Sequence, residues 1–188
     1  MALVAANQGF GSMRHLAARF FGALSPAGPP ENDERWAQAY LVEGERSLWR
    51  RMSGPDRRHA VGVARDAIQL LGPGEPDRGV VAAALLHDVG KVEAGIGTFG
   101  RAGVTLIAMV VGRARLLRWS PADPPATRPP RRARIGMYLA HDRLGAMLLA
   151  AAGSDPLTVA WAAEHHLAAA SWSVDATVAA ALKAADGD

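Results

Sequence analysis

The chain has 188 residues, of which 49% are hydrophobic and 21% charged, and it contains no cysteine. That length suits one domain able to bury roughly 70% of the surface its unfolded form exposes. Without cysteine there is no disulfide framework, no iron–sulfur cluster and no thiolate nucleophile, so any metal must be held by imidazole and carboxylate. The net charge of +3 is modest and argues only weakly for a nucleic-acid role, so no nucleic-acid partner is expected.

No run reaches the roughly 18 to 20 apolar residues that a membrane span needs. The best candidate, residues 104–112, is closed by Arg113, Arg115 and Arg118. The first 24 residues lack a basic n-region and carry Arg14 and Arg19 where an apolar segment would run, so no secretory signal and a cytoplasmic location are expected. Nineteen arginines stand against two lysines, Lys91 and Lys183. In such a chain each lysine asks for a local reason.

In chain order, residues 13–24 form a predicted helix with Leu16, Phe20 and Leu24 on one face. Three prolines within residues 25–32 read as a linker. The expected organisation is an N-terminal helical segment with its linker over 1–34 and one domain over 35–188. Residues 36–52 form an amphipathic helix, and Pro55 suits the first turn of the next, over 56–71, which Gly72-Pro73-Gly74 ends. A helix after Glu75-Pro76-Asp77 is apolar throughout 80–86 and is therefore expected at the centre. Further helices are expected over 95–119, 131–152, 155–170 and 174–185, with a five-proline loop at 120–130. No stretch sustains period-2 alternation, so the chain reads as an all-α bundle of six to eight helices.

The six histidines carry the functional reading: His15, His59, His87, His141, His165 and His166. His87 is followed by Asp88 at the end of the apolar helix, where an ionised carboxylate is costly to bury without a cation. Imidazole with carboxylate suits Fe, Mn, Zn, Co or Ni better than Ca or Mg.

His59, His87-Asp88 with Lys91 three residues on, and Asp186 after an alanine-rich helix together resemble the H…HD…D signature of the HD superfamily. Its members are all-helical, metal-dependent phosphohydrolases. The likeness covers residues 36–188 and includes the phrases AALLHDVGK, YLAHDRLGAMLL, AEHH and ALKAADG. His141 and the His165-His166 pair are similar to the additional histidines of HD-GYP-like members. The resemblance implies one metal on His59, His87, Asp88 and Asp186, and a second on Asp88, His141, His165 and His166. Adjacent helical residues diverge by about 100°, so His165 and His166 can both ligate only if the metal lies between them or the helix is disturbed. The GYP phrase is absent, and Pro55 stands where a three-metal member offers a glutamate.

The resemblance implies hydrolysis of a phosphate ester or anhydride of a small metabolite or nucleotide, with Asp88 bridging the metals. Lys91, one turn from Asp88, is placed to reach a phosphate oxygen. The alternatives are a non-catalytic HD-like binding module and a di-iron oxygenase on the same scaffold. Asp142 is left out of the ligand set, Lys183 reads as a solvated helix residue, and His15 as a surface residue. Arg128, Arg131, Arg132 and Arg134 read as a solvated helix start or an anion-steering rim; a nucleic-acid contact is the further option, with no interleaved aromatics to support it.

Overall fold

The computed structural model describes residues 25–122 and 127–187. All regular structure among them is helical: α1 (Glu31–Ala39), α2 (Glu43–Arg51), α3 (Gly54–Leu71), α4 (Arg78–Leu86), α5 (Lys91–Ala94), α6 (Thr98–Val111), α7 (Arg113–Leu117), α8 (Arg131–Leu139), α9 (His141–Ala151), α10 (Pro156–Glu164) and α11 (Ala176–Asp186), plus a 3-10 turn at Ala169–Ser171. The expected all-α class holds, with more segments than expected because long helices are broken. The helix read over 13–24, and with it His15, lies outside the described residues.

Four helices begin on side-chain caps that satisfy their first free N–H groups. Ser53 accepts from Asp56 N at α3, Asp77 from Val80 N at α4, and Asp155 from Leu157 N at α10. Asp175 accepts from Thr177 N and Val178 N at α11. α4 is the centre that the sequence predicts, with every residue from Gly79 to Leu86 buried. It packs between α3 and α10, with α11 beyond α3 and α9 beyond α10. Thr158 Oγ1 donates to Gly79 O at 3.1 Å and fixes α10 on α4. Leu85 and Leu86 are completely buried, and truncating either to alanine removes about 2–5 kcal/mol of stability.

The breaks have local causes. The helix expected over 36–52 divides because Val42 is extended, its N–H bonded at 2.9 Å to the fully buried Glu45 carboxylate. The stretch 95–119 divides at Gly112, whose φ of +95° favours glycine. The stretch 131–152 divides at Ala140. There Arg113 Nη2 donates to Leu139 O at 2.7 Å, and Arg143 N takes its own neighbour's Asp142 Oδ1 in place of a helical carbonyl. The turn after α4 tightens to i→i+3 bonds, Val89 N to Leu86 O and Lys91 N to Asp88 O.

Gly90 sits at a close approach. A Cβ there would lie 1.9 Å from His141 O and 2.6 Å from Gly145 N. The backbone of the 87–90 turn thus rests directly on α9.

Candidate metal centre

Five elements deliver the candidate residues: α3 carries His59, the turn after α4 His87 and Asp88, α9 His141, the end of α10 His165 and His166, and α11 Asp186. Three imidazoles are oriented by one device. His87 Nδ1 donates to Ala84 O at 2.8 Å, His141 Nδ1 to Tyr138 O at 2.8 Å, and His165 Nδ1 to Ala162 O at 3.0 Å. A carbonyl can only accept, so the proton of each neutral ring is on Nδ1 and the Nε2 lone pair is left to face inward. The Nε2 atoms of His87 and His165 are buried with no hydrogen-bond partner. Buried polar atoms without a hydrogen bond are uncommon in a folded interior.

The donors gather in two trios, His59 with His87 and Asp186, and His141 with His165 and His166; within each, the candidate atoms lie within 4.8 Å of one another. In the first, His59 Nε2 is 2.9 Å and His87 Nε2 3.6 Å from Asp186 Oδ1. In the second, His141 Nε2 is 3.1 Å from His166 Nε2. Asp88 stands between the trios, Oδ2 at 3.5 Å from His87 Nε2 and Oδ1 at 3.3 Å from His141 Nε2. Ligands held about 2.1 Å from one ion stand about 3.0 to 3.4 Å apart in octahedral or tetrahedral arrangement. The observed separations fall around that range, and the nitrogen–oxygen donor set suits a transition-metal ion. These groups, mostly buried, could hold a metal.

His165 and His166 both reach the second trio because α10 stops at Glu164. Two contacts end it: Lys183 Nζ takes His165 O at 2.9 Å, and the Glu164 side chain binds Ser173 N and Oγ at 2.7 and 2.6 Å. The helix is disturbed at that point, so the two adjacent rings reach the same cluster. His165 is buried and His166 sits exposed at the rim.

The electrostatics follow from two buried carboxylates close together. Burial opposes the charged form of Asp88, but Lys91 and His87 outweigh it and hold the carboxyl well below the usual range. Asp186 is also lowered: burial works against ionisation, and the hydrogen bond from His59 and the charge of His87 overcome it. Burial would push His87 down, yet Asp88 and Asp186 lift it to about 9. His165, on the other side, is pushed down to about 4 by burial and by the charge of His87. Lys91 is ion-paired with Asp88 and raised above its ordinary value, Asp88 and Asp56 outweighing the burial that opposes it.

All seven predicted ligands, His59, His87, Asp88, His141, His165, His166 and Asp186, are thus brought together, with Lys91 on Asp88. Asp142 lies apart, its Oδ2 3.9 Å from Arg113. The reading of Lys183 as a solvated residue is corrected by its bond to His165 O; a lone lysine one turn from Asp186 was the available signal. Arg134 is likewise not part of a free basic cluster, since it donates to Ala94 O and Gly95 O. Tyr138 was missed as a neighbour of the site. Its carbonyl orients His141 and its ring stacks on that imidazole at 6.0 Å.

No protein-family model, curated protein or solved structure matches the chain.

Proposed function

We propose that the chain is a metal-dependent phosphohydrolase of the HD type, cleaving a phosphate ester or anhydride of a small metabolite or nucleotide. One observation carries the reading: seven imidazole and carboxylate donors from five elements converge, and the buried Nε2 atoms of His87 and His165 make no hydrogen bond. His59, His87, Asp88 and Asp186 would hold one divalent ion of the Fe, Mn, Zn, Co or Ni group, and Asp88, His141, His165 and His166 a second. When bound, such a pair supplies a hydroxide at neutral pH and positive charge to offset that of a phosphoryl group.

The chain's own residues do the rest. Asp88 directs one carboxylate oxygen to each trio and so sets their separation. The three carbonyl-bound imidazoles keep their Nε2 atoms aimed before any ligand arrives, which lowers the reorganisation needed, although His87 must first give up its second proton. Lys91 Nζ lies at the Asp88 carboxylate and is the cation available to a phosphate oxygen. The HD-like order of His59, His87-Asp88 and Asp186 supports the same reading.

The test loads the metal-stripped full chain separately with Mn²⁺ and Fe²⁺ and follows release of p-nitrophenol from the mono- and bis-p-nitrophenyl phosphates. Turnover that requires metal and vanishes in His87→Ala and Asp88→Asn is the expected result. A folded protein that takes up no transition metal would reduce it to a binding module. Oxygen consumption by the iron form, without phosphate release, would replace hydrolysis by the oxygenase chemistry that a similar donor set also serves.

A further inference from the structure

α6 carries Arg101 as its only charged residue yet exposes much of its apolar surface. Val104 and Ala108 face inward against Leu116 and Leu139. On the opposite side Phe99, Leu106, Met109 and Val110 are 72%, 64%, 67% and 87% exposed. At 100° per residue, positions 99, 106 and 110 fall on one stripe roughly opposite Val104. An apolar stripe this continuous marks an interaction surface rather than scattered exposure.

Charge along the segment that carries and follows the stripe is one-sided. Residues 95–134 contain eight arginines and a single acid, while the chain as a whole carries only +3. Three of those arginines are engaged: Arg101 with Asp56, Arg113 with Leu139 O, and Arg134 with Ala94 O and Gly95 O. Arg115, Arg118, Arg128, Arg131 and Arg132 are exposed and have no ion-pair partner among the described residues. Arg115 belongs to α7, which directly follows α6, and Arg131 and Arg132 open α8, against which α7 packs. Trp119, beside Arg118, is 41% exposed.

We propose that α6 and this arginine-rich margin form a docking surface for an anionic lipid bilayer, with the stripe seated among the acyl chains and the arginines at the headgroups. A second copy of the chain fits poorly, because like faces would bring two uncompensated arginine sets together. Residues 1–24 fit poorly as a cover for the same reason: they hold Arg14 and Arg19 and no acid. A nucleic acid would use the cations and leave the stripe in water. A bilayer with anionic headgroups answers both features at once, as for surface-lying helices with a basic flank. A helix of 14 residues is about 21 Å long, short of the roughly 30 Å hydrocarbon core, so it rests in one leaflet.

The experiment co-sediments the full chain with phosphatidylglycerol vesicles and with phosphatidylcholine vesicles at fixed ionic strength. Binding at least about tenfold tighter to the anionic vesicles is expected. Leu106→Ser with Val110→Ser should weaken it about tenfold or more, and Arg115→Glu with Arg118→Glu should erase the anionic preference. Both variants should retain wild-type metal content and circular dichroism. Equal or absent binding to the two vesicle types overturns the proposal. So does a dimer in sedimentation that Leu106→Ser with Val110→Ser dissociates, or tight binding to an oligonucleotide with no vesicle binding.

Discussion

The two trios hold equal numbers of donors and differ in charge and depth. His59, His87 and Asp186 include a buried carboxylate, with His87 and Asp186 almost wholly enclosed. His141, His165 and His166 are all imidazoles, and the last is open at the rim. A cation in the first would be held by two acidic groups counting Asp88; in the second only Asp88 would offer charge. Coulomb attraction grows as the surroundings dry out, so the deeper trio should bind first and release last.

The sharpest way to break this contrast is Asp88→Asn. It removes the one carboxylate facing both trios and should abolish uptake of either ion, with turnover falling about 10³-fold or more, checked by metal analysis and aryl-phosphate kinetics. Next come the paired single losses. His87→Ala should strip the deeper metal, whereas His166→Ala should leave it and weaken only the rim metal, about 10- to 100-fold, read by calorimetric titration.

Proton competition separates the trios further. In the chelator-stripped chain, His87 keeps its second proton until about pH 9, and a metal must displace that proton. Affinity at the deeper trio should therefore rise by up to about tenfold per pH unit from pH 6.5 to 9. The His165 ring, at about 4, is already neutral across that window and adds no such slope. The same shift has a stability sign. The charged His87 contributes stability to the stripped protein that is complete below pH 6.5 and is lost as pH rises through about 9. Titration in buffers of different ionisation enthalpy, with urea unfolding at pH 6 and 9.5, reads both effects.

The smallest expected effect belongs to Lys183→Met. Loss of the bond to His165 O should cost about 1–2 kcal/mol in urea unfolding. Affinity at the second trio should fall less than in His166→Ala, since the ring keeps its Ala162 O contact.

Much of this centre was legible because its chemistry is local in type even where it is distant in sequence. A histidine–aspartate pair closing an apolar helix is expensive unless a cation compensates, and the resemblance to the HD signature implied His59, His141, His165, His166 and Asp186 as the remaining donors. What was not legible depended on which groups meet across the fold. Lys183 reads as solvated until α11 is laid beside the end of α10. The helix over 131–152 reads as continuous until Arg113 claims the Leu139 carbonyl. Residues 80–86 and 104–111 look alike as apolar runs, yet α4 is enclosed on every side and α6 on one. Hydropathy states a preference for burial and leaves open which neighbour, if any, provides it.

The contact at Gly90 has a mechanical consequence. Because main chain touches main chain there, the distance between the Asp88 and His141 supports is set by atoms that have no rotamers to change. The two halves of the pocket are welded at that point, so a change in the spacing of the two trios would have to come from the other carriers, α3, α10 and α11, and not from the joint itself.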